Sequence, residues 1–281
     1  MRTGPRWWTN STPASMVEPD SVPSAPPLPQ KPRAVLIDLA GVLHVGDRPV
    51  PGAAAALQRL RASGLPLRFL TNTTRSPRQA LVQLLHSMGL AVAPDEIQTA
   101  VRATAQLVRQ RGLHPHYLVH PAIAEEVGPS HPEPDAVVLG DAGEHFTFDA
   151  LNRAFRLLQA GCPLIAMARN RYFQEPDGLT LDLGAFVAAL EYGAGVRAEV
   201  VGKPAAPFFL GALAELGVAP GEAVLIGDDL RDDIGGAQAV GMPGVLVRTG
   251  KFRPADESAG DIRAARVVDD FAAAVALLLG H

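Results

Sequence analysis

Short apolar runs alternate with amphipathic stretches from Arg33 onward, the pattern of a parallel β-sheet joined by crossover helices. It predicts a first strand over residues 34–37 that ends at Asp38. A helix follows Pro51-Gly52, with Ala54, Leu57, Leu60 and Arg61 at helical spacing. A second strand over residues 67–70 ends at Thr71. Ser76-Pro77 then opens a helix whose stripe of Leu81, Leu84, Leu85 and Met88 stops at Gly89, the residue type best suited to a helix end.

The pattern changes near Val101. A block with strands at 117–119, 136–139 and 164–167 and helices at 148–159 and 183–192 reads as a second small α/β unit inserted into the first. Strands of the main sheet are expected to resume at 199–201, 223–226 and 245–247, with a further one at 266–268, and an apolar helix closes the chain over 271–279. The division expected is therefore a tail at 1–32, a main domain of 33–100 and 196–281, and an inserted domain of 101–195. Proline-rich residues 1–30 have no apolar signal centre and read as a disordered tail, in which Trp7 and Trp8 lie.

Composition narrows the functions. At 281 residues and 47% hydrophobic the chain can bury a sizeable core. A formal charge of −4 gives no basic excess of the kind that collects nucleic acid or anionic lipid. The final apolar stretch is about half the roughly 20 residues that a membrane-spanning helix needs. Cys162 is the only cysteine, so an intrachain disulfide and a thiolate metal cluster are both excluded. These features point to small-molecule chemistry, to neither nucleic acid nor membrane as a partner, and to a reducing, cytoplasmic compartment.

Ligands of open α/β sheets bind beyond the carboxyl ends of the strands. Four polar groups fall there: Asp38; Thr71-Asn72; Lys203 in Gly202-Lys203-Pro204; and Asp228, Asp229 and Asp233 in the run from Gly227. Each alone is as well explained by helix and turn capping. Together they offer carboxylates from two strands for a hard divalent cation, with a hydroxyl and an ammonium for phosphate. An aspartate with an ordinary pKa of about 3.9 is ionised at neutral pH and can attack phosphorus without a base.

In this order the motifs resemble those of the haloacid dehalogenase superfamily of phosphatases, from about Arg33 to the C-terminus. The insertion resembles the type-two cap of the subgroup that includes pyridoxal phosphate and nucleotide phosphatases. The resemblance implies a Rossmann-like core under an α/β cap, Mg²⁺ as cofactor, a small phosphorylated substrate and a cap-to-cap homodimer. It makes Asp38 the nucleophile and a metal ligand, with the Ala40 carbonyl and Asp228 completing the protein's metal ligands. Thr71, with Asn72 beside it, would bind the phosphoryl group through hydroxyl and backbone N–H, and Lys203 would neutralise charge. Asp233 would orient Lys203 or metal-bound water, and Asp229 would support from outside the shell.

One position departs from the wider pattern. Most of these phosphatases carry a second Asp two residues after the nucleophile, which protonates the leaving group; here it is Ala40. Close members of the subgroup also lack that acid and carry Ser there, so the departure does not imply a dead enzyme. It implies a preference for leaving groups that need little protonation, as in P–N bonds, pyrophosphate or aryl phosphates, or else another acid such as His44. A phosphate-binding or interaction protein without turnover and a phosphotransferase are the other readings. A receiver module is disfavoured by motif order.

Arg169, Asn170, Arg171 and Tyr172 follow a strand of the inserted unit and can reach the leaving group, or form ordinary surface. Gly250-Lys251 does not make a P-loop, because the glycine spacing is wrong and Phe252 replaces the hydroxyl residue. His114, His116 and His120 read as packing or surface histidines, and Gly235-Gly236 as a close helix–sheet approach.

Overall fold

The computed structural model describes residues 25–175, 178–258 and 260–280. Of the expected tail, residues 1–24 lie outside the described residues. Within 25–32, Leu28 packs against the core of the main sheet.

Strand β1 (Ala34–Asp38) is buried along its whole length, because it is a central strand covered on both faces. Its side chains alternate between two cores. Val35 and Ile37 face the helices α1 (Ala53–Ala62) and α2 (Arg78–Ser87), while Ala34 and Leu36 face the opposite layer. A small hairpin, β2 (His44–Val45) and β3 (Arg48–Pro49), follows β1. In α2 the buried residues are Val82 and Leu85, and Leu84 of the expected stripe is exposed. Leu81 and Met88 are partly buried against the same core, so the stripe faces it at three of its four residues.

Strands β4 (Leu67–Thr71) and β5 (Ile97–Thr99) extend the sheet on one side of β1, and the helix α3 (Ala100–Arg111) leads out of it. The second unit has three parallel strands, β6 (Pro115–Leu118), β7 (Ala136–Leu139) and β8 (Leu164–Ala166). A short helix, α4 (Ala124–Val127), follows β6, and α5 (Phe148–Gln159) connects β7 to β8. A hairpin of β9 (Tyr172–Glu175) and β10 (Gly178–Leu181) comes next, then α6 (Leu183–Ala194).

The strand β11 (Glu199–Val200) differs from expectation. It pairs in parallel with β8 and not with the main sheet, giving the order β11-β8-β7-β6. The crossover through α6 returns the chain beside the strand it left, as right-handed β-helix-β connections do. Arg111 of α3 holds Glu199 in this position at 2.6 Å. A two-residue strand carries no sequence mark of which sheet it will join.

Helix α7 (Ala206–Leu216) then brings the chain back under the main sheet, followed by β12 (Ala223–Gly227), α8 (Gly236–Ala239), β13 (Gly244–Val247), β14 (Arg266–Val268) and α9 (Phe271–Leu279). The six-stranded order is β14-β13-β12-β1-β4-β5, with each neighbouring pair parallel. A Cβ on Gly236 would lie 2.4 Å from Phe209 of α7, so the close approach at this glycine is to a helix and not, as expected, to the sheet. The carboxyl ends of β1, β4 and β12 open to one side, where β1 pairs Asp38 with Leu70 and Ile37 with Ile226. No described helix is long and apolar enough to cross a membrane.

Candidate active site

Asp38 ends β1 and is 4% exposed, and Lys203 lies beyond β11. The ammonium Nζ of Lys203 donates to Asp38 Oδ1 at 2.5 Å and to Asp233 Oδ1 at 2.7 Å. Asp233 is wholly buried in a wide helical turn, Leu230–Gly235, after β12. Its other oxygen accepts the backbone N–H groups of Asp228 and Asp229, each at 3.2 Å. Asp229 caps the same turn by accepting from Arg231 and Asp232. One ammonium thus spans two carboxylates, and the second of these shapes the loop that bears Asp228.

Two glycines let the carboxylate of Asp228 sit in place. A Cβ on Gly41, whose φ is +91°, would lie 1.9 Å from Asp228 Oδ2, and one on Gly250 would lie 2.0 Å from it. The Lys251 N–H donates to the same oxygen at 2.7 Å, and the Thr249 hydroxyl donates to the Gly41 carbonyl. The loop after β13 therefore fastens the loop after β1 to that after β12.

Thr71 ends β4, and its hydroxyl oxygen accepts the Thr73 N–H at 3.2 Å, which leaves the hydroxyl proton to be donated elsewhere. The Asn72 side chain has a role besides the backbone contact expected of this residue. Its amide donates to the Lys203 carbonyl at 2.9 Å and accepts from the Lys203 N–H at 2.8 Å. The side chain is a clamp on Lys203, which leaves only its backbone to meet a phosphoryl group. Gly202 permits this contact, since a Cβ there would lie 2.7 Å from Asn72 Oδ1.

Burial raises the Asp38 carboxyl to about 7; Lys203 opposes this and Asp233 adds to it. The ordinary carboxylate value expected from sequence does not hold, because the group is desolvated beside two other acids. Burial likewise raises Asp228 to about 8, helped by Asp38 and Asp233. Lys203 shows the complement: burial pulls it down, but Asp233 and Asp38 carry it above its ordinary value. Asp38, Asp228 and Asp233 offer oxygens within 4.8 Å of one another, the only such cluster of acidic, histidine or cysteine ligands among the described residues. Three acids facing one ammonium leave a site that favours a further cation, and hard oxygen donors without nitrogen or sulfur suit Mg²⁺ or Ca²⁺.

A cavity of about 250 Å³ opens over these groups, with Asp38, Ala40, Thr71, Asn72, Lys203 and Asp228 at its floor. The second unit lines it with Asp141, Asn170, Phe173 and Asp182.

Residues 35–128 match the family model described as haloacid dehalogenase-like hydrolase, and residues 200–274 match a HAD-hydrolase-like model. The chain is 50% identical over 226 residues to haloacid dehalogenase-like hydrolase domain-containing protein 2 of Bos taurus, covering 80% of this chain and 87% of that one. It belongs to the haloacid dehalogenase-like hydrolase family. A second relative in this family, phospholysine phosphohistidine inorganic pyrophosphate phosphatase of Rattus norvegicus, is 43% identical over 256 residues, 89% of this chain and 95% of that one. Among solved structures, 4-nitrophenylphosphatase from Thermotoga maritima superposes with a TM-score of 0.82 at 25% identity, covering 89% of this chain and 98% of that one. A glycerol phosphate phosphatase from Mycobacterium tuberculosis, in complex with calcium, gives 0.79 at 27% identity, with coverage of 86% and 74%.

This hydrolase departs from the sequence reading at the roof of its cavity. Arg169 turns to Glu191, 2.6 Å away, and Tyr172 is half exposed on β9; neither lines the cavity. Asn170, expected with them, does line it, and so does Phe173, because β9 turns alternate side chains in opposite directions. His44 is held by the Gly46 carbonyl at 2.8 Å and is also absent from the lining. The three histidines do not converge: His114 meets Asp135, His116 is buried in β6, and His120 accepts the Ala122 N–H.

Sequence reasoning missed Lys251, Asp232, Arg75, Asp141 and Asp182 as lining residues. Lys251 and Asp141 follow the ends of β13 and β7, so the strand-end rule was sufficient to find them. Asp182 shows only as a helix N-cap, and nothing local marks it as facing a cavity. Arg75 joins the two units: Nε reaches Asp141 at 2.5 Å and its guanidinium lies over the Phe173 ring at 4.7 Å.

Proposed function

We propose that this hydrolase is a Mg²⁺-dependent phosphohydrolase that works through a phosphoaspartyl intermediate on Asp38. The observation that carries the reading is the Lys203 ammonium shared between Asp38 and Asp233 at 2.5 and 2.7 Å, with Asp228 beside them. Lys203 holds Asp38 Oδ1 in place and offsets charge as a phosphate approaches. Asp38 then forms an oxygen–phosphorus bond while the bond from phosphorus to the leaving atom breaks. Water attacks the phosphoaspartate, releasing phosphate and restoring the carboxylate. Thr71 donates its free hydroxyl proton to a phosphoryl oxygen.

Asp38, Asp228 and the Ala40 carbonyl would hold Mg²⁺, which supplies charge neutralisation for the nucleophile and the phosphoryl oxygens. The acidic donor set and the raised carboxyl values of Asp38 and Asp228 support this assignment. The calcium in the mycobacterial relative supports a hard cation.

The unit from about residue 101 to β11 acts as a cap that closes the site to bulk water. A cavity of about 250 Å³ suits small phosphorylated substrates. Ala40 beside the nucleophile, and the name of the rat relative, support P–N bonds and pyrophosphate among them.

The test is Mg²⁺-dependent phosphate release from 4-nitrophenyl phosphate, pyrophosphate and a phosphoramidate, with Asp38→Asn as control. Release that persists in Asp38→Asn removes the reading. Ala40 also favours a second one, a phosphate-binding protein without turnover. Phosphate binding by a wild-type protein that releases none from any of the three would establish it. Transfer to an added acceptor alcohol would instead identify a phosphotransferase.

A further inference from the structure

A phosphotransfer site without an acid beside its nucleophile must find the leaving-group proton elsewhere or do without it. Ala40 cannot supply it. The floor carboxylates stand on the nucleophile's side: Asp38 and Asp233 share Lys203, Asp228 accepts the Lys251 N–H, and Asp232, raised to about 6 by burial, belongs with Asp233 to the turn after β12. The leaving group of an in-line attack lies on the side of phosphorus opposite Asp38, toward the roof. Of the described roof residues, Asn170 and Phe173 do not titrate and only Asp141 and Asp182 carry carboxyls. Asp141 is tied to Arg75 at 2.5 Å and accepts the Gly143 N–H at 3.0 Å.

We propose that Asp182 is the residue that protonates the leaving group and later takes the proton of the attacking water. This rests on the phosphohydrolase reading above.

The placement of Asp182 is defined from both sides. Its backbone N–H donates to the Arg171 carbonyl at 3.2 Å, closing the base of the β9–β10 hairpin. Its Oδ1 accepts the Leu183 N–H at 2.6 Å as α6 begins. One carboxyl oxygen is thereby fixed, and the other is the one able to carry and transfer a proton. The charged groups around it are Arg75 after β4, Asp141 after β7 and Lys251 after β13. Burial raises its carboxyl; the Leu183 N–H, Arg75 and Lys251 oppose the rise and Asp141 adds to it. A half-buried acid whose carboxyl is raised, and whose second oxygen the helix cap does not use, can hold and transfer a proton.

The proton balance is complete without another reactant. As Asp38 bonds to phosphorus, the leaving oxygen or nitrogen departs with the proton of Asp182. Water then attacks the phosphoaspartate, gives its proton to the Asp182 carboxylate, and the Asp38–phosphorus bond breaks.

Asp182→Asn keeps the helix-capping oxygen and removes the proton. The experiment measures phosphoenzyme formation by rapid quench on glycerol phosphate, whose alkoxide needs a proton, and on 4-nitrophenyl phosphate, whose phenolate does not. The variant should lose roughly 10²-fold or more on glycerol phosphate and under about threefold on 4-nitrophenyl phosphate. Its phosphorylation rate should also lose the fall at alkaline pH shown by the wild type. Ala40→Asp should restore glycerol phosphate turnover in the Asp182→Asn background and add little to the wild type. Equal loss on both substrates, no loss on either, or no rescue by Ala40→Asp would overturn the assignment. Failure of the underlying reading shows separately, as a wild type without phosphoenzyme or an active Asp38→Asn.

Discussion

Lys203 Nζ lies 2.5 Å from Asp38 Oδ1, with both side chains almost fully buried, although 165 positions separate them in the chain. Removing the one ammonium from between two buried carboxylates is costly. Lys203→Ala is expected to lower the unfolding free energy by about 3–5 kcal/mol, because two acids are left without their cation. Turnover should fall by about 10²- to 10³-fold. Asp38→Asn should abolish turnover while leaving the melting temperature unchanged or higher, since it removes one of three neighbouring acids. Urea unfolding and phosphate release on both variants check the pair, and a strongly destabilised Asp38→Asn would contradict it.

The raised carboxyls set a pH dependence with a definite sign. Asp38 and Asp228, at about 7 and 8 in the folded protein, keep protons that the unfolded chain releases near pH 4. Their contribution to stability is therefore present in full below about pH 4 and is lost as pH rises through 7 to 8. Lys203 is shifted upward and titrates above this window. The metal-free protein should melt lower at pH 8.5 than at pH 5.5. Added Mg²⁺ should raise the melting temperature more at pH 8.5, where the ligands are ionised. Scanning calorimetry at both pH values, with and without Mg²⁺, tests both signs.

Gly41 and Gly250 bracket Asp228, and Gly46 offers a control, having φ +59° but nothing within 4 Å of a built Cβ. Gly46→Ala should cost about 1 kcal/mol or less from left-handed strain alone. Gly41→Ala and Gly250→Ala must also displace the carboxylate, and should weaken Mg²⁺ binding by about 10- to 100-fold. Metal titration calorimetry separates the two effects, and equal affinity in all three variants would refute the close packing.

Asn72 makes two hydrogen bonds to the backbone of Lys203. Asn72→Ala is expected to destabilise the protein by about 1–3 kcal/mol by leaving those groups unpaired. It should also slow turnover without changing the pH at which Asp38 titrates. Steady-state kinetics and thermal unfolding of this variant suffice.

The residues legible in sequence share one property. Asp38, Thr71, Lys203 and Asp228 each follow a strand or its return loop, and alternation of apolar runs locates those ends without knowledge of the packing. The final helix, Phe271–Leu279, and α5, Phe148–Gln159, were legible for the same reason, since each has unambiguous local periodicity and an N-cap. Tyr172 was not separable from Phe173, because one residue of register in a hairpin reverses which side chain faces inward.

The sequence by itself determined the α/β class and the family, since these rest on local pattern and on residues at strand ends. Tertiary structure decided what those residues do. It sent Glu199–Val200 to the second sheet, fastened the Asn72 side chain to the Lys203 backbone, and brought Asp182 to the same cavity as Asp38 and Ala40. It also raised the Asp38 carboxyl to about 7. Pairing, burial and charge proximity join residues far apart in the chain, and no local pattern records which of them will meet.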